Sequence, residues 1–308
     1  MEYQWLKDLA RLNLPVYKCE TDSMKIAYAG YSSIKKKYFV RFMMNRDYKR
    51  TYLGRKWFWQ ITNLSRSGKF DMVISEVSPV SLKHYQKSIG FVLPVWANLR
   101  INVDVALDEI FEKRKSVFSK IEKKIRKFNL TYEVLTDRKS FSHFMEEFYL
   151  PYASKRFGDE AMIEDLYSIW DSSAEPSLMA IKEDGVIIAE SFFIKTGETL
   201  NFIRMGLLDG NEEYLKHGAV GALHYFRIIE ARKMGCKNIN PGGTRPFLTD
   251  GLTQNKLGLG AEFVTEHSQY NEYIWLGINE SSPSTREFMH NNPFMYLDND
   301  LRLVRHGR

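Results

Sequence analysis

Two short stretches of this 308-residue sequence hold most of the groups that could do chemistry. In K-H-G-A-V-G-A, Lys216 to Ala222, Gly218 and Gly221 stand at the head of an apolar pattern of helical spacing made by Ala219, Ala222, Leu223, Phe226 and Ile229. A helix that opens on glycines presents unpaired backbone N–H groups and the positive end of its dipole, which suits a phosphate or pyrophosphate. His217, Gly218, Ala219, Val220, Gly221 and Ala222 are therefore expected to hold the phosphate-bearing part of a ligand through the backbone. The second stretch, G-G-T-R-P-F-L-T-D-G-L-T-Q-N-K, sets Arg245, Asp250 and Lys256 on one polar turn. Arg245 and Lys256 suit phosphates or the anionic groups of an acceptor, and Asp250 suits an amine that must be oriented or deprotonated. Each feature also has a plainer reading: glycines permit tight helix packing, and charges in a turn form local ion pairs with solvent around them.

Tyr152 and Arg156, in Y-L-P-Y-A-S-K-R-F-G, are candidates to face the acceptor, beside the alternative of a packed helix end. His224, like His217, flanks the glycine-opened turn, and a histidine on a helix face is more often a satisfied residue than a base. Glu190 lies inside an apolar strand, where alternation puts it in a cleft or in solvent without deciding which. No G-x-S-x-G elbow, HExxH pair or metal-ligand cluster occurs, so the chemistry points away from covalent or metal catalysis and toward direct transfer. Cys19 and Cys236 are too few and too far apart for a disulfide framework or a zinc site.

The formal net charge of +6 is local. Lys113 to Lys127 carries eight basic residues against Glu122 alone, and the rest of the chain is close to neutral. Ile110, Val117, Phe118, Ile121, Ile125 and Phe128 share one face of this segment, which predicts an amphipathic basic helix over Leu107–Phe128. Its exposed face is a solvated surface, a dock for tRNA or another polyanion, or a contact with anionic lipid. Phe118 and Phe128 fall on the apolar side, which speaks against base-stacking recognition of RNA. The longest apolar runs, near Phe91–Ile101 and Val186–Ile194, are too short to span a membrane, and M-E-Y-Q-W-L-K-D lacks the pattern of a secretory signal. A cytoplasmic protein is expected.

The elements that must position these residues are clearer in the second half. Ser177–Glu183 and Val186–Thr196 are predicted strands joined by an Asp-Gly hairpin, with Thr199–Leu208 a third. The glycine-opened helix follows, then the strand Lys237–Asn240, a short helix through Lys256, and strands at Ala261–His267 and Glu272–Ile278. A strand at Thr131–Leu135 and a helix over Ser140–Lys155, kinked or ended by Pro151, come before them. The first hundred residues read as short strands at Lys25–Tyr31, Tyr38–Met43, Met72–Val77 and Ser88–Pro94 between aromatic-rich turns.

The order of elements after residue 130 resembles the GNAT acyltransferase fold. The chain is more specifically similar to the tandem subgroup related to Fem-type peptidoglycan aminoacyltransferases. K-R-K-S-V-F-S-K-I-E-K-K-I-R-K-F-N-L-T-Y-E-V, Y-L-P-Y-A-S-K-R-F-G, and the helix followed by G-G-T-R-P-F-L-T-D-G-L-T-Q-N-K-L-G-L-G-A carry the resemblance, over roughly Ala106–Ile278. It implies an α/β (α+β) architecture of tandem GNAT-like mixed sheets with flanking helices, a degenerate first copy over 1–135 and an acyltransferase domain over 136–308. It also implies an N-acyltransferase that moves an acyl group from acyl-CoA, acetyl-CoA or a relative, to an amine of a sugar, glycan or cell-envelope precursor, with no metal. The usual acetyl-CoA loop is Arg or Gln, two residues, Gly, one residue, then Gly or Ala. Here one frame has Leu215 first and Val220 last, and the other has Gly218 first and Leu223 last. Neither fits fully, so another acyl-CoA or an aminoacyl-tRNA stays open as donor, as does a silent binding protein of the same fold.

Overall fold

The computed structural model describes residues 11–158, 166–265 and 272–307. The N-terminal segment M-E-Y-Q-W-L-K-D and the last two residues of the strand expected at Ala261–His267 lie outside the described residues. The chain is α/β, with two mixed sheets that each carry their own core and flanking helices. Contacts divide it into two units, one of residues 1–97, 244–254 and 264–308 and the other of residues 98–243 and 255–263.

The first unit holds eight strands: β1 (Asn13–Glu20), β2 (Lys25–Ala29), β3 (Lys49–Trp57), β4 (Met72–Val77), β5 (Gly90–Pro94), β13 (Tyr273–Ile278), β14 (Phe294–Leu297) and β15 (Leu303–His306). Their order is β15-β14-β5-β13-β4-β2-β1-β3. β2 and β4 pair in parallel, and the other neighbours are antiparallel. Where the sequence suggests a boundary at 135/136, contacts divide the chain at 97/98 and β13 inserts between β4 and β5, with Trp275 opposite both Ser75 and Val92. Y-I-W-L-G-I is apolar on both faces, and only a central slot buries both faces of a strand. A correction concerns Tyr38–Met43, which belongs to the helix Ser33–Met44. The Ser32 hydroxyl caps it by accepting from the Lys35 N–H at 3.1 Å, and Phe39, Val40, Met43 and Met44 bury one face. Burial at helical spacing outweighs the β-propensity of the aromatic and branched residues.

The second unit holds β6 (Leu99–Asn102), β7 (Leu130–Leu135), β8 (Pro176–Glu183), β9 (Val186–Thr196), β10 (Thr199–Leu207), β11 (Asn238–Asn240) and β12 (Glu262–Phe263), in the order β12-β6-β11-β10-β9-β8-β7. The Asp-Gly hairpin between β8 and β9 forms as expected, with Asp184 and Gly185 both at positive φ (48° and 87°). β10 and β11 pair in parallel over three residues only, from Thr199↔Asn238 to Asn201↔Asn240. β10 then bulges between Phe202 and Arg204 and runs on to Leu207 beside β9, whereas β11 ends. The two strands diverge at that point.

Helices around this sheet explain its geometry. The expected basic helix is two, Leu107–Lys113 and Lys115–Lys127, broken at Arg114. Pro151 does not end its helix. A π-helical turn, Phe144–Tyr149, precedes the α-helix Leu150–Phe157, so the proline sits in the first turn of the latter, where a missing N–H costs nothing. The backbone of this turn lies against β10: a side chain at Gly206 would come within 2.3 Å of the Phe148 carbonyl carbon. Among the described residues no helix is long and apolar enough to cross a membrane, and no group of three acidic, histidine or cysteine residues could hold a metal ion.

Candidate functional site

Gly218 is the hinge of the expected phosphate cradle. At φ 97° it ends the short helix Glu213–His217 and caps the helix Ala219–Lys233, a left-handed backbone that favours glycine. Its own N–H bonds back to the Tyr214 and Leu215 carbonyls, and its carbonyl takes the Ala222 N–H at 2.8 Å. What comes close to both glycines is the basic helix. A Cβ on Gly218 would lie 2.8 Å from the Lys124 side chain, and one on Gly221 3.1 Å from Ile121. The glycines therefore serve tight packing, with the aliphatic stem of Lys124 lying against Gly218. Ala219 and Ala222 are buried, with Val220 partly so. His217 is taken up elsewhere: its ring stacks on Phe128 at 4.4 Å, and Nδ1 lies 2.9 Å from Glu183 Oε2.

The residues of the polar turn have separate partners. Arg245 and Asp250 belong to the first unit and Lys256 to the second. Asp250, 6% exposed, accepts from Arg245 Nη1 at 2.6 Å and from the N–H groups of Leu252 and Thr253 at 3.1 Å each. It caps the helix Gly251–Gly258 and neutralises Arg245, whose guanidinium lies 3.7 Å from the Tyr38 ring centroid. Lys256, 8% exposed, donates to the carbonyls of Gly242 and Gly243 at 3.0 and 2.9 Å, fixing the chain where it leaves β11. A Cβ on Gly242 would sit 3.4 Å from that ammonium and 3.6 Å from the Phe202 carbonyl oxygen, so Lys256 stands at the divergence of β10 and β11.

Tyr152 and Arg156 are brought together. Arg156 Nη1 donates to the Tyr152 hydroxyl at 2.5 Å, and the Tyr152 ring is buried in the core of the second unit. Burial raises the Tyr152 pKa against the pull of Arg156. Glu190 faces neither a cleft nor solvent. It is 1% exposed, lies opposite Gly206 in the β9–β10 register, and its Oε2 has no hydrogen-bond partner. Burial first, then the charges of Glu133, Asp137 and Glu147, push its pKa up to about 8.

Sequence reasoning passed over one residue. Arg227, 5% exposed, points from the helix Ala219–Lys233 at the sheet. Nη2 donates to Ser191 Oγ at 2.7 Å, Nη1 lies 3.3 Å from His224 Nδ1, and the guanidinium carbon is 4.0 Å from the Phe202 ring centroid. Its Nε has no partner, and no carboxylate among the described residues pairs with it. Burial draws its pKa down to about 9, and burial with the charges of Arg227 and Lys256 holds His224 well below the ordinary histidine range. A single arginine on an amphipathic helix gives no signal in the sequence that its partner is missing.

No family model matches the chain, and no curated protein matches it. Solved structures do. FemX is 12% identical with a TM-score of 0.45, over 86% of this chain and 84% of that one. L-PGS from Bacillus licheniformis is 10% identical with a TM-score of 0.43, over 89% and 83%. A tandem GNAT protein from the clavulanic acid biosynthesis pathway is 7% identical with a TM-score of 0.35, over 87% and 80%.

Proposed function

We propose that the second unit is an N-acyltransferase that moves an acyl group directly from an acyl-CoA thioester to an amine. The observation that carries this reading is the divergence of β10 and β11 just after Asn201↔Asn240, with the head of the helix Ala219–Lys233 following in the chain. Parallel strands that part in this way leave a crevice at their carboxyl ends, and backbone groups of β10 beyond the bulge face it. The helix head supplies a positive dipole end for the donor's pyrophosphate, and Lys124, whose stem packs on Gly218, is the lysine of the basic helix we assign to it. In the transfer the amine nitrogen bonds to the acyl carbon, the C–S bond breaks, and the thiolate takes up the proton that the nitrogen gives away. A thiol of pKa about 8.5 leaves acceptably without a dedicated acid. Lys256, at the divergence, is the cation best placed to meet an anionic group of the acceptor, and Tyr152 with Arg156 is the candidate acceptor contact. An amine on a sugar, glycan or cell-envelope precursor is the acceptor class that the sequence resemblance favours.

The test is thermal unfolding against a panel of acyl-CoAs. A donor at a hundred times its dissociation constant should add about 2.7 kcal/mol of stability. Lys124→Glu should weaken that donor by roughly tenfold, because it reverses one charge beside the phosphates. No shift with any acyl-CoA would end the CoA reading. One observation favours a second donor: the basic helix exposes Lys120, Lys123, Lys124, Arg126 and Lys127 as one charged surface running to Gly218. An aminoacyl-tRNA would use it, and its binding would weaken steeply with salt and less steeply once Lys123, Lys124 and Lys127 are glutamine.

A further inference from the structure

A buried guanidinium without an acid is expensive to keep. Solvation lost on burial is normally returned by a carboxylate, and an arginine that keeps only neutral partners retains the capacity to pair with an anion. Arg227 is such a group. Its contacts are a hydroxyl, an imidazole nitrogen that can only accept from it, and an aromatic face, and each of these leaves the positive charge uncancelled. The edge formed by Nε and Nη2 matches the two oxygens of a carboxylate, and Nε on that edge has no partner. Phe202 covers one face of the guanidinium, so an anion reaches it edge-on. Phe202 is also the first residue of β10 beyond its last pairing with β11, which places the guanidinium that stacks on it at the strand divergence.

We propose that Arg227, held in place by Ser191 and His224, is a receptor for a carboxylate on the acyl group of the donor, so that this enzyme transfers an acidic acyl group. The assignment rests on the acyl-transfer reading for the identity of the donor, while the receptor itself rests on the geometry of Arg227. Ser191 is wholly buried on β9 and donates its own proton to the Arg204 carbonyl at 2.9 Å, so its oxygen is committed to Arg227. The Nη1 contact leaves the His224 proton on Nε2, and neutral His224 adds no competing charge to the arginine. An anion bound here would raise the His224 pKa, which makes that ring a reporter of occupancy.

The experiment compares succinyl-CoA with acetyl-CoA, and free succinate with inorganic phosphate, on the full chain and on Arg227→Met. Calorimetric titration should show succinyl-CoA binding at least tenfold more tightly than acetyl-CoA to the wild type, and no difference between the two in Arg227→Met. Without ligand, Arg227→Met should melt higher than the wild type, since it removes an uncompensated charge and keeps the volume; a purely structural arginine would give the opposite sign. Equal affinities in the wild type, or a preference that survives in Arg227→Met, overturns the receptor. If neither CoA binds, the acyl-CoA reading falls and free succinate decides. A succinate-induced shift of the His224 ring in the wild type, absent in Arg227→Met, upholds the receptor, and no shift overturns it. An Arg227-dependent response to phosphate without one to succinate also overturns it.

Discussion

Glu190 and Ser191 are neighbours on β9, and their surroundings are opposite in sign. Glu190 sits among the charges of Glu133, Asp137 and Glu147, with an unbonded carboxyl oxygen. Ser191 bonds Arg227, which together with Lys256 puts positive charge beside the neutral ring of His224. A buried acid and a buried base would settle each other on the same face. Strand alternation sends successive side chains to opposite faces and keeps these two apart. One face therefore holds a carboxylic acid that keeps its proton near neutral pH, and the other holds a cation that lacks an anion. One unmet demand therefore lies at each face of β9, the Glu190 carboxyl on one and the Arg227 guanidinium, bonded to Ser191, on the other.

The largest effect tests how firmly the acidic face is closed. Gly206→Ala should destabilise the second unit by more than about 3 kcal/mol, because its Cβ would meet Phe148 backbone that has nowhere to move. Chemical denaturation measures this, and a near-neutral result would mean that the π-helical turn yields easily. Next is Glu190→Gln. The folded pKa of Glu190 lies above its ordinary value, so the folded state holds a proton that the unfolded chain gives up, and stability is lost as pH rises from about 4.5 through about 8. The amide keeps the shape and removes that loss. It should gain on the order of 4 kcal/mol over the wild type at pH 8 and nothing at pH 4, and parallel pH profiles would show that Glu190 is solvated after all.

A smaller change sharpens the opposite face. Ser191→Asp puts a carboxylate where Arg227 Nη2 now meets the hydroxyl at 2.7 Å, giving the cation an internal partner. Anion-induced stabilisation should disappear. His224 should titrate at higher pH than in the wild type, read by its ring resonances, because the new charge opposes the pull of Arg227 and Lys256. The least effect belongs to Asp250→Ala, which removes a helix cap and the partner of Arg245 in the first unit. A loss of roughly 1 to 2 kcal/mol is expected with donor binding in the second unit unchanged. A large loss of transfer rate with donor affinity unchanged would return Asp250 to the chemistry that the sequence suggested for it.

These contrasts also mark what could be read in the sequence. The Asp184-Gly185 hairpin and the close approach at Gly218 and Gly221 were legible, because positive φ and a missing side chain are local demands. The neighbour that fills the space was not, since Ile121 and Lys124 lie about a hundred residues away in sequence. Tyr273–Ile278 was legible as a strand, but its slot between β4 and β5 depends on which sheet has a vacancy buried on both faces. Tyr38–Met43 misled because aromatic and branched residues suit strands until a capped helix buries the same side chains. Glu190 drew notice as an acid in an apolar strand, whereas Arg227 drew none, since its oddity is the absence of a neighbour.

Hydrogen–deuterium exchange of the full chain, with and without saturating acetyl-CoA or succinyl-CoA, locates the donor most directly. If the donor lies along the helix head and the strand divergence, amides of residues 219–223 and of β10 beyond the bulge, 203–207, should slow on binding, and those of the first unit should not change. Protection confined to the first unit, or binding that leaves both segments of the second unit unaltered, would contradict the placement of acyl transfer there.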